Sequence, residues 1–435
     1  MPIMSLSSTD IQLLAEPAGG VPEVINTRQQ FDTFVHAYTA ASGPLAADAE
    51  RASSFRYFKG NYLIQFKRSG APIALLDPIA LDEQRVDWNA FNRAVQGAAW
   101  IIHDCEQDIP AFVANGLQID AVFDTEHAAR LLGRKRFGLS AITEHYLGLT
   151  LAKEHSAADW SYRPLNRDLR NYAALDVEVL IELDNALTAE LKKTGKWQWA
   201  LEDFEHLRQH GLEEKAVHPQ PWRRVSHITD LRGDVRSLAV VRELWMTREH
   251  YAQQLDIAPN LLLSDEAIIV AAQRKPRNSK QFKAIRLLNE RVRIRTGDER
   301  EKMFERYASV QRQIKPQVWK EAIGRALETK YAEIRELTQP VEKPGNSAPR
   351  SMKYWREHHP ERYARLHRVK ELIGQVSQDT HTPVEVLLKP QYVRNLCWRD
   401  DIAYTPNDIA EFLTLQGARN WQVELLAPSL SKVII

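Results

Sequence analysis

Short apolar runs and helical periodicities alternate along the first half of the chain. "NYLIQF" (61–66), "PIALLD" (72–77) and "AWIIHD" (99–104) have the length and composition of strands. "DWNAFNRAV" (87–95), "TEHAARLLG" (125–133) and "LRNYAALDVEVLIELDNALTAELKK" (169–193) repeat apolar residues at three and four positions and predict helices. Strands lead as a meander and helices then fall between later strands, the order expected of an α/β domain with a mixed sheet. After Trp199 the strand signals stop. Residues 211–223 ("GLEEKAVHPQPWR") and 338–351 ("TQPVEKPGNSAPRS") carry the prolines and small polar residues of breaks between units. The blocks that follow share one plan, a long helix, a proline-bounded segment containing L-L and then shorter helices, which predicts two small helical domains of one type.

Bulk composition narrows this picture in three ways. A chain of 435 residues exceeds what one core serves and calls for two or three domains. The formal net charge of +1 means that any polyanion site must come from local clustering. Only Cys105 and Cys397 are present, which excludes a disulfide scaffold and metal-finger spacing and suits a reducing compartment. No apolar run is long enough to span a bilayer, and "MPIMSLSSTDIQLLAEPAGG" lacks a basic segment followed by an apolar block, so a cytoplasmic location is expected.

The candidate chemistry begins in "PLAADAERASSF" (44–55), where Asp48 and Glu50 are one residue apart and Arg51 follows at once. On a strand the two carboxylates point the same way and repel unless a cation sits between them; on a surface loop they would be merely solvated. In "IIHDCEQDIPAF" (101–112), Asp104 and Asp108 share a helix face if a helix starts there, a pattern that equally suits acids complementing a helix dipole. In "YAALDVEVLIEL" (172–183), Tyr172 and Asp176 stand at i and i+4 beside the apolar stripe of Leu175, Val179 and Leu183, which also fits a buried tyrosine next to an exposed acid. Just upstream, Trp160 and Arg163 suggest a base-and-phosphate platform, or equally an Arg–Asp brace. Farther on, Arg274, Lys275, Arg277, Lys280, Lys283, Arg286, Arg291, Arg293 and Arg295 crowd together against the single acid Glu290, as a phosphate-backbone footprint or a solvated helix face. Arg68, Arg134, Lys135, Arg136 and Arg163 could extend a basic path toward the acids.

Taken in order, D-x-E on a strand, an Asp after a later strand and Y-x-x-x-D on a helix resemble the DEDD exonucleases of the ribonuclease H-like fold, in their tyrosine variant. Within that group "DAERASSFRYFKGNYLIQF", "IIHDCEQDIPAF", "FDTEHAARLLG" and "DWSYRPLNRDLRNYAALDVEVL" resemble the ribonuclease D family, densely over residues 44–190. The later blocks resemble the helicase-and-RNase-D C-terminal (HRDC) domains of that family. The resemblance implies an exonuclease domain over 1–210, a linker over 211–228, an HRDC domain over 229–337, a linker over 338–351 and a second HRDC-like domain over 352–435.

By the same resemblance Asp48, Glu50, Asp108 and Asp176 hold two divalent ions, Mg²⁺ or Mn²⁺, Asp48 bridging both, with Asp108 on the leaving-group side. Oxygen ligands suit such hard cations, which activate water and neutralise the departing 3′ oxygen. Tyr172 orients the attacking water or a phosphate oxygen by hydrogen bonding. Residue 104 is usually small in the family, and here Asp104 and Glu106 both compete for the place given to Asp108. Asp124 reads as a helix cap. The implied activity is 3′–5′ exoribonuclease trimming of structured RNA such as tRNA precursors, releasing mononucleotides. The alternatives are a 3′–5′ DNA exonuclease and a catalytically silent nucleic-acid-binding scaffold.

Overall fold

A computed structural model describes residues 11–152, 158–213, 218–289, 307–339 and 348–434. The strands are β1 (Gln12–Leu14), β2 (Val24–Ile25), β3 (Ser42–Arg51), β4 (Asn61–Ser69), β5 (Ala74–Leu76), β6 (Ala99–Ile102), β7 (Ala121–Asp124) and β8 (Leu149–Leu151). Six of them form a mixed sheet in the order β2-β5-β4-β3-β6-β7. β3, β4 and β5 are the expected antiparallel meander, and β6 and β7 run parallel to β3 with helices on the crossovers. β1 and β8 pair separately, in parallel.

The central strands are covered on both faces, so they read as nearly continuous apolar runs. Along β4, Ile64 and Phe66 face an aromatic core of Phe34, Tyr38, Phe91 and Trp100, while Leu63 joins Leu75, Trp160 and Leu169 on the other side. Ala46, Ala47 and Ala49 keep β3 slim, and the helix Arg167–Glu178 lies against β3, β4 and β5. The single long helix expected over 169–193 is divided: Arg167–Glu178 ends at Val179 and Leu180–Lys193 begins there. Lys67 from β4 donates to the Glu178 carbonyl and pairs with Glu178 and Glu182 at 3.5 Å each, taking over an acceptor that a continuous helix would have used. Apolar spacing continues through the break, so it left no mark in the periodicity.

Beyond β8 the described residues hold helices only. The two helical blocks repeat one plan. Val235–Leu255 is followed by Pro259–Leu262 and Asp265–Arg274, and Pro360–Thr380 by Val384–Leu387 and Pro390–Trp398. Each long helix stops at a left-handed residue, Asp256 or His381. Trp222 and Val225, from the proline-bounded stretch before the first block, join that block's core.

Both blocks dock on the α/β domain. Phe55, from the loop after β3, enters the core of the first block, and its carbonyl accepts from the Ala258 amide at 2.9 Å. The second block shares a continuous buried cluster with the α/β domain, with Trp421 stacked on Trp199 at 4.5 Å. A close approach is built in at Gly133: its φ of +78° is left-handed, and a Cβ there would lie 2.5 Å from the His381 carbonyl oxygen.

Candidate active site

β3 delivers Asp48 and Glu50 to one face of the sheet, as alternation requires. The helix Arg167–Glu178 is capped by Asn166, whose side chain accepts from the Leu169 amide, and packs so that Tyr172 and Asp176 meet them. The helix Cys105–Ala114 starts directly after β6 and contributes Asp108. All five side chains line one cavity of about 290 Å³, with His103 on its wall. Ligand oxygens of Asp48, Glu50 and Asp176 come within 4.8 Å of one another, and Asp108 pairs instead with Arg51 at 3.0 Å.

Such crowding shows in the proton affinities. Desolvation raises the Asp48 carboxyl to about 6, against weaker opposition from the Ala49 amide and Arg51. Glu50 is raised well above the ordinary carboxylate range by burial and then by the charges of Asp48, Asp176 and Asp108. Asp176 and Asp108 are raised by burial first and by Asp48 second, and Arg51 opposes the rise at Asp108. Tyr172 is also pushed up, by burial and then Asp176, so its hydroxyl keeps its proton and serves as a donor.

Geometry separates the three acids of the second segment. Glu106 turns to His210, at 3.2 Å. Asp104 takes a left-handed conformation, φ 63°, and its carboxylate accepts from the Gln107 side chain at the cavity's edge. Asp108 is among the charges that raise Glu50 most. Asp124 caps Thr125–Leu131 through the His127 amide at 2.9 Å and also accepts from the Cys105 amide at 2.8 Å, fastening the start of the Asp108 helix.

Two expected nucleic-acid contacts are corrected. Trp160 is 1% exposed and belongs to the core with Leu63 and Leu165, so it offers no face to a base. Arg163 is the brace: it donates to Asp77 at 2.5 Å and to the Trp160 and Tyr62 carbonyls at 2.6 Å each, which leaves its fork committed. Trp160→Phe is therefore expected to lower unfolding free energy by about 1–2 kcal/mol in urea melts, with RNA affinity unchanged; a selective loss of affinity would restore the platform. The basic path fails at Arg68, which donates to the Gly43, Tyr38 and Ala94 carbonyls, and at Arg134, which is paired with Glu190 at 2.6 Å.

In the basic patch Lys275 is likewise corrected. Its ammonium meets Asp234 at 2.5 Å and Ser237 at 2.9 Å, bracing two helices. Arg274, Arg277, Lys280, Lys283 and Arg286 are exposed. Arg291, Arg293 and Arg295 lie outside the described residues.

Sequence reasoning missed Gln65. It stands across the ladder from Asp48, on the same face, and is wholly buried with neither amide atom hydrogen-bonded to protein. An orphaned amide beside clustered carboxylates suits a site that takes up hydrated cations. A glutamine inside an otherwise apolar strand run was the available signal.

A family profile described as 3′–5′ exonuclease matches residues 22–192, an HRDC profile matches 237–299, and one for a 3′ to 5′ exonuclease C-terminal domain matches 348–434. Ribonuclease D of Jannaschia sp. is 28% identical over 275 residues, 62% of this chain and 69% of its own length. The Escherichia coli ribonuclease D is 27% identical over 254 residues, 58% of this chain and 66% of its own. A crystal structure of a protein from Bifidobacterium adolescentis superposes with a TM-score of 0.91 at 54% identity, covering 98% of this chain and 99% of that one. The crystal structure of E. coli RNase D shares the fold, with a TM-score of 0.59 at 21% identity over 95% of this chain and 98% of its own. Fold, carboxylate cluster and matching profiles define a 3′–5′ exonuclease with an HRDC domain appended. The chain is similar in sequence to the ribonucleases D and, with the 3′–5′ exonuclease profile, is an exoribonuclease, a hydrolase of phosphodiester bonds. Among the described residues no helix is long and apolar enough to cross a membrane.

Proposed function

We propose that this chain trims the 3′ ends of structured RNA, tRNA precursors among them, by hydrolysing the terminal phosphodiester in a two-ion Mg²⁺ or Mn²⁺ site and releasing 5′-mononucleotides. The observation that carries this reading is the gathering of Asp48, Glu50 and Asp176 within 4.8 Å on one wall of a cavity that Asp108 and Tyr172 complete. An all-oxygen, anionic donor set fits hard divalent ions. When bound, such ions activate water and offset charge on the leaving oxygen. Asp48 would serve both ions, with Glu50 and Asp176 holding the one on the nucleophile side and Asp108 the other. Tyr172, holding its proton, donates to Asp176 and is positioned to orient the attacking water.

The test is digestion of matched end-labelled RNA and DNA oligonucleotides with Mg²⁺, Mn²⁺ or EDTA. Metal-dependent release of mononucleotides from RNA 3′ ends is expected. Equal digestion of DNA would shift the substrate reading, and binding without cleavage would leave a scaffold.

Arg274, Arg277, Lys280 and Lys283, exposed on the HRDC block, are on this reading contacts to the RNA backbone. The Lys280→Glu/Lys283→Glu protein is expected to bind RNA with a log affinity versus log salt slope shallower by about 1–2, since each lost phosphate contact removes roughly 0.7–0.9. An unchanged slope returns the patch to solvent.

A further inference from the structure

The carboxylate cluster has a cationic neighbour supplied by the chain itself. β3 and β4 pair residue for residue from Leu45↔Arg68 to Glu50↔Leu63, then skip to Arg51↔Asn61, leaving Tyr62 as the extra residue of a bulge. On an unbroken strand Arg51 would point to the face opposite Asp48 and Glu50. Bulges re-aim side chains beside active sites, and here the Arg51 side chain lines the cavity. Its Nη2 lies 3.0 Å from Asp108 Oδ1, and its Nη1 donates to the Gln107 carbonyl at 2.5 Å. The guanidinium thus bridges a side chain and a backbone acceptor of the Asp108 helix. Asp108, with a side chain only 7% exposed, stays with Arg51 while the other three carboxylates draw together.

A guanidinium fork and a divalent cation compete for the same carboxylate oxygens. We infer that Arg51 is a positioning residue that holds Asp108 as its counter-ion until a divalent cation displaces it, so that the ion on the Asp108 side binds more weakly than the one held by Asp48, Glu50 and Asp176. This rests on the two-ion reading above. Asp108 is thereby kept in place and neutralised in the metal-free protein, and the second ion binds at the cost of that pair. Arg51, once released, remains on the cavity wall as a free cation.

Mn²⁺ titration calorimetry on the full chain, wild type beside Arg51→Gln, tests this together with thermal melts in EDTA and in Mn²⁺. Wild type is expected to take up Mn²⁺ in two events of unequal affinity. Arg51→Gln should tighten the weaker event about tenfold or more, the range for removing a competing charge-assisted bond, and leave the stronger within about threefold. Its EDTA melt should fall, because Asp108 loses its partner, and its Mn²⁺-induced rise should exceed that of wild type. A merely structural arginine would lower the EDTA melt without tightening Mn²⁺ binding. Arg51→Lys keeps the charge but cannot bridge Asp108 and the Gln107 carbonyl together, so an intermediate affinity is expected, and it serves if the glutamine variant does not fold. Unchanged Mn²⁺ affinities with a raised KM for RNA would make Arg51 a phosphate contact and overturn the inference. Absence of Mn²⁺ uptake by wild type would instead overturn the two-ion reading itself.

Discussion

Asp48→Asn is expected to abolish nucleotide release while the metal-free protein melts at the same temperature as wild type or higher. The first half follows from position. Asp48 shares a 4.8 Å neighbourhood with Glu50 and Asp176 and is the foremost charge acting on Asp108, so it serves both sides of the cavity. Divalent ions supply several kcal/mol of charge stabilisation in such reactions, and losing that is roughly a thousandfold or more in rate. The second half follows from repulsion. Folding raises the Asp48 carboxyl from 3.8 to about 6, so the folded metal-free chain binds this proton more tightly than the unfolded one. Asp48's own contribution to metal-free stability is therefore fully present below the ordinary carboxylate range and declines as pH rises through about 6. Asparagine removes that decline and relieves Glu50 and Asp176 of a neighbouring charge. Melting in EDTA across pH 4–8 reads both effects. A clear drop in the mutant's melting temperature above pH 7 would mean that Asp48 is a structural residue and not part of a cation site.

What the sequence disclosed was local, and what it hid was distant. The alternation that sets Asp48 beside Glu50, and the i, i+4 spacing that joins Tyr172 to Asp176, are properties of a single strand and a single helix. Repetition of the helical plan was legible for the same reason, through the prolines at 259 and 383 that follow each long helix. Choosing among Asp104, Glu106 and Asp108 needed Gln107 at the turn and His210 from a helix far along the chain. Arg163 could be read as a phosphate ligand because its partner Asp77 lies 86 residues away. Trp160 carried no periodicity to mark it as core. Arg51 was read as an adjunct to the D-x-E pair, yet its direction depends on a bulge whose second strand begins ten residues later. The short pairing of β1 with β8 gave no signal, three residues being too few for alternation to register.

Asp203→Ala is expected to cost about 3–5 kcal/mol of unfolding free energy and to loosen the C-terminal helical block, although it lies on the helix Trp197–Leu212, outside the cavity-lining residues. Asp203 is 1% exposed and accepts from Arg419 Nε at 2.6 Å, from Trp421 Nε1 at 2.9 Å and from His127 Nε2 at 2.6 Å. One carboxylate thus ties a helix of the α/β domain to the start of the last helix. Burial alone would raise its carboxyl, but the hydrogen bond and charge of His127, joined by Arg419 and Trp421, outweigh burial and hold it below the ordinary range. A depressed folded value stabilises above the unfolded carboxylate range and is lost as pH falls through it, so wild type should weaken on the acid side and the mutant should show less of that slope. Truncation strands Arg419, whose side chain is 10% exposed, without its counter-charge. Urea unfolding at pH 7 and pH 4 measures both terms, with tryptophan fluorescence following the Trp199–Trp421 stack. A loss below about 1 kcal/mol, typical of an exposed ion pair, would assign the docking to the stacked indoles and their apolar surroundings instead.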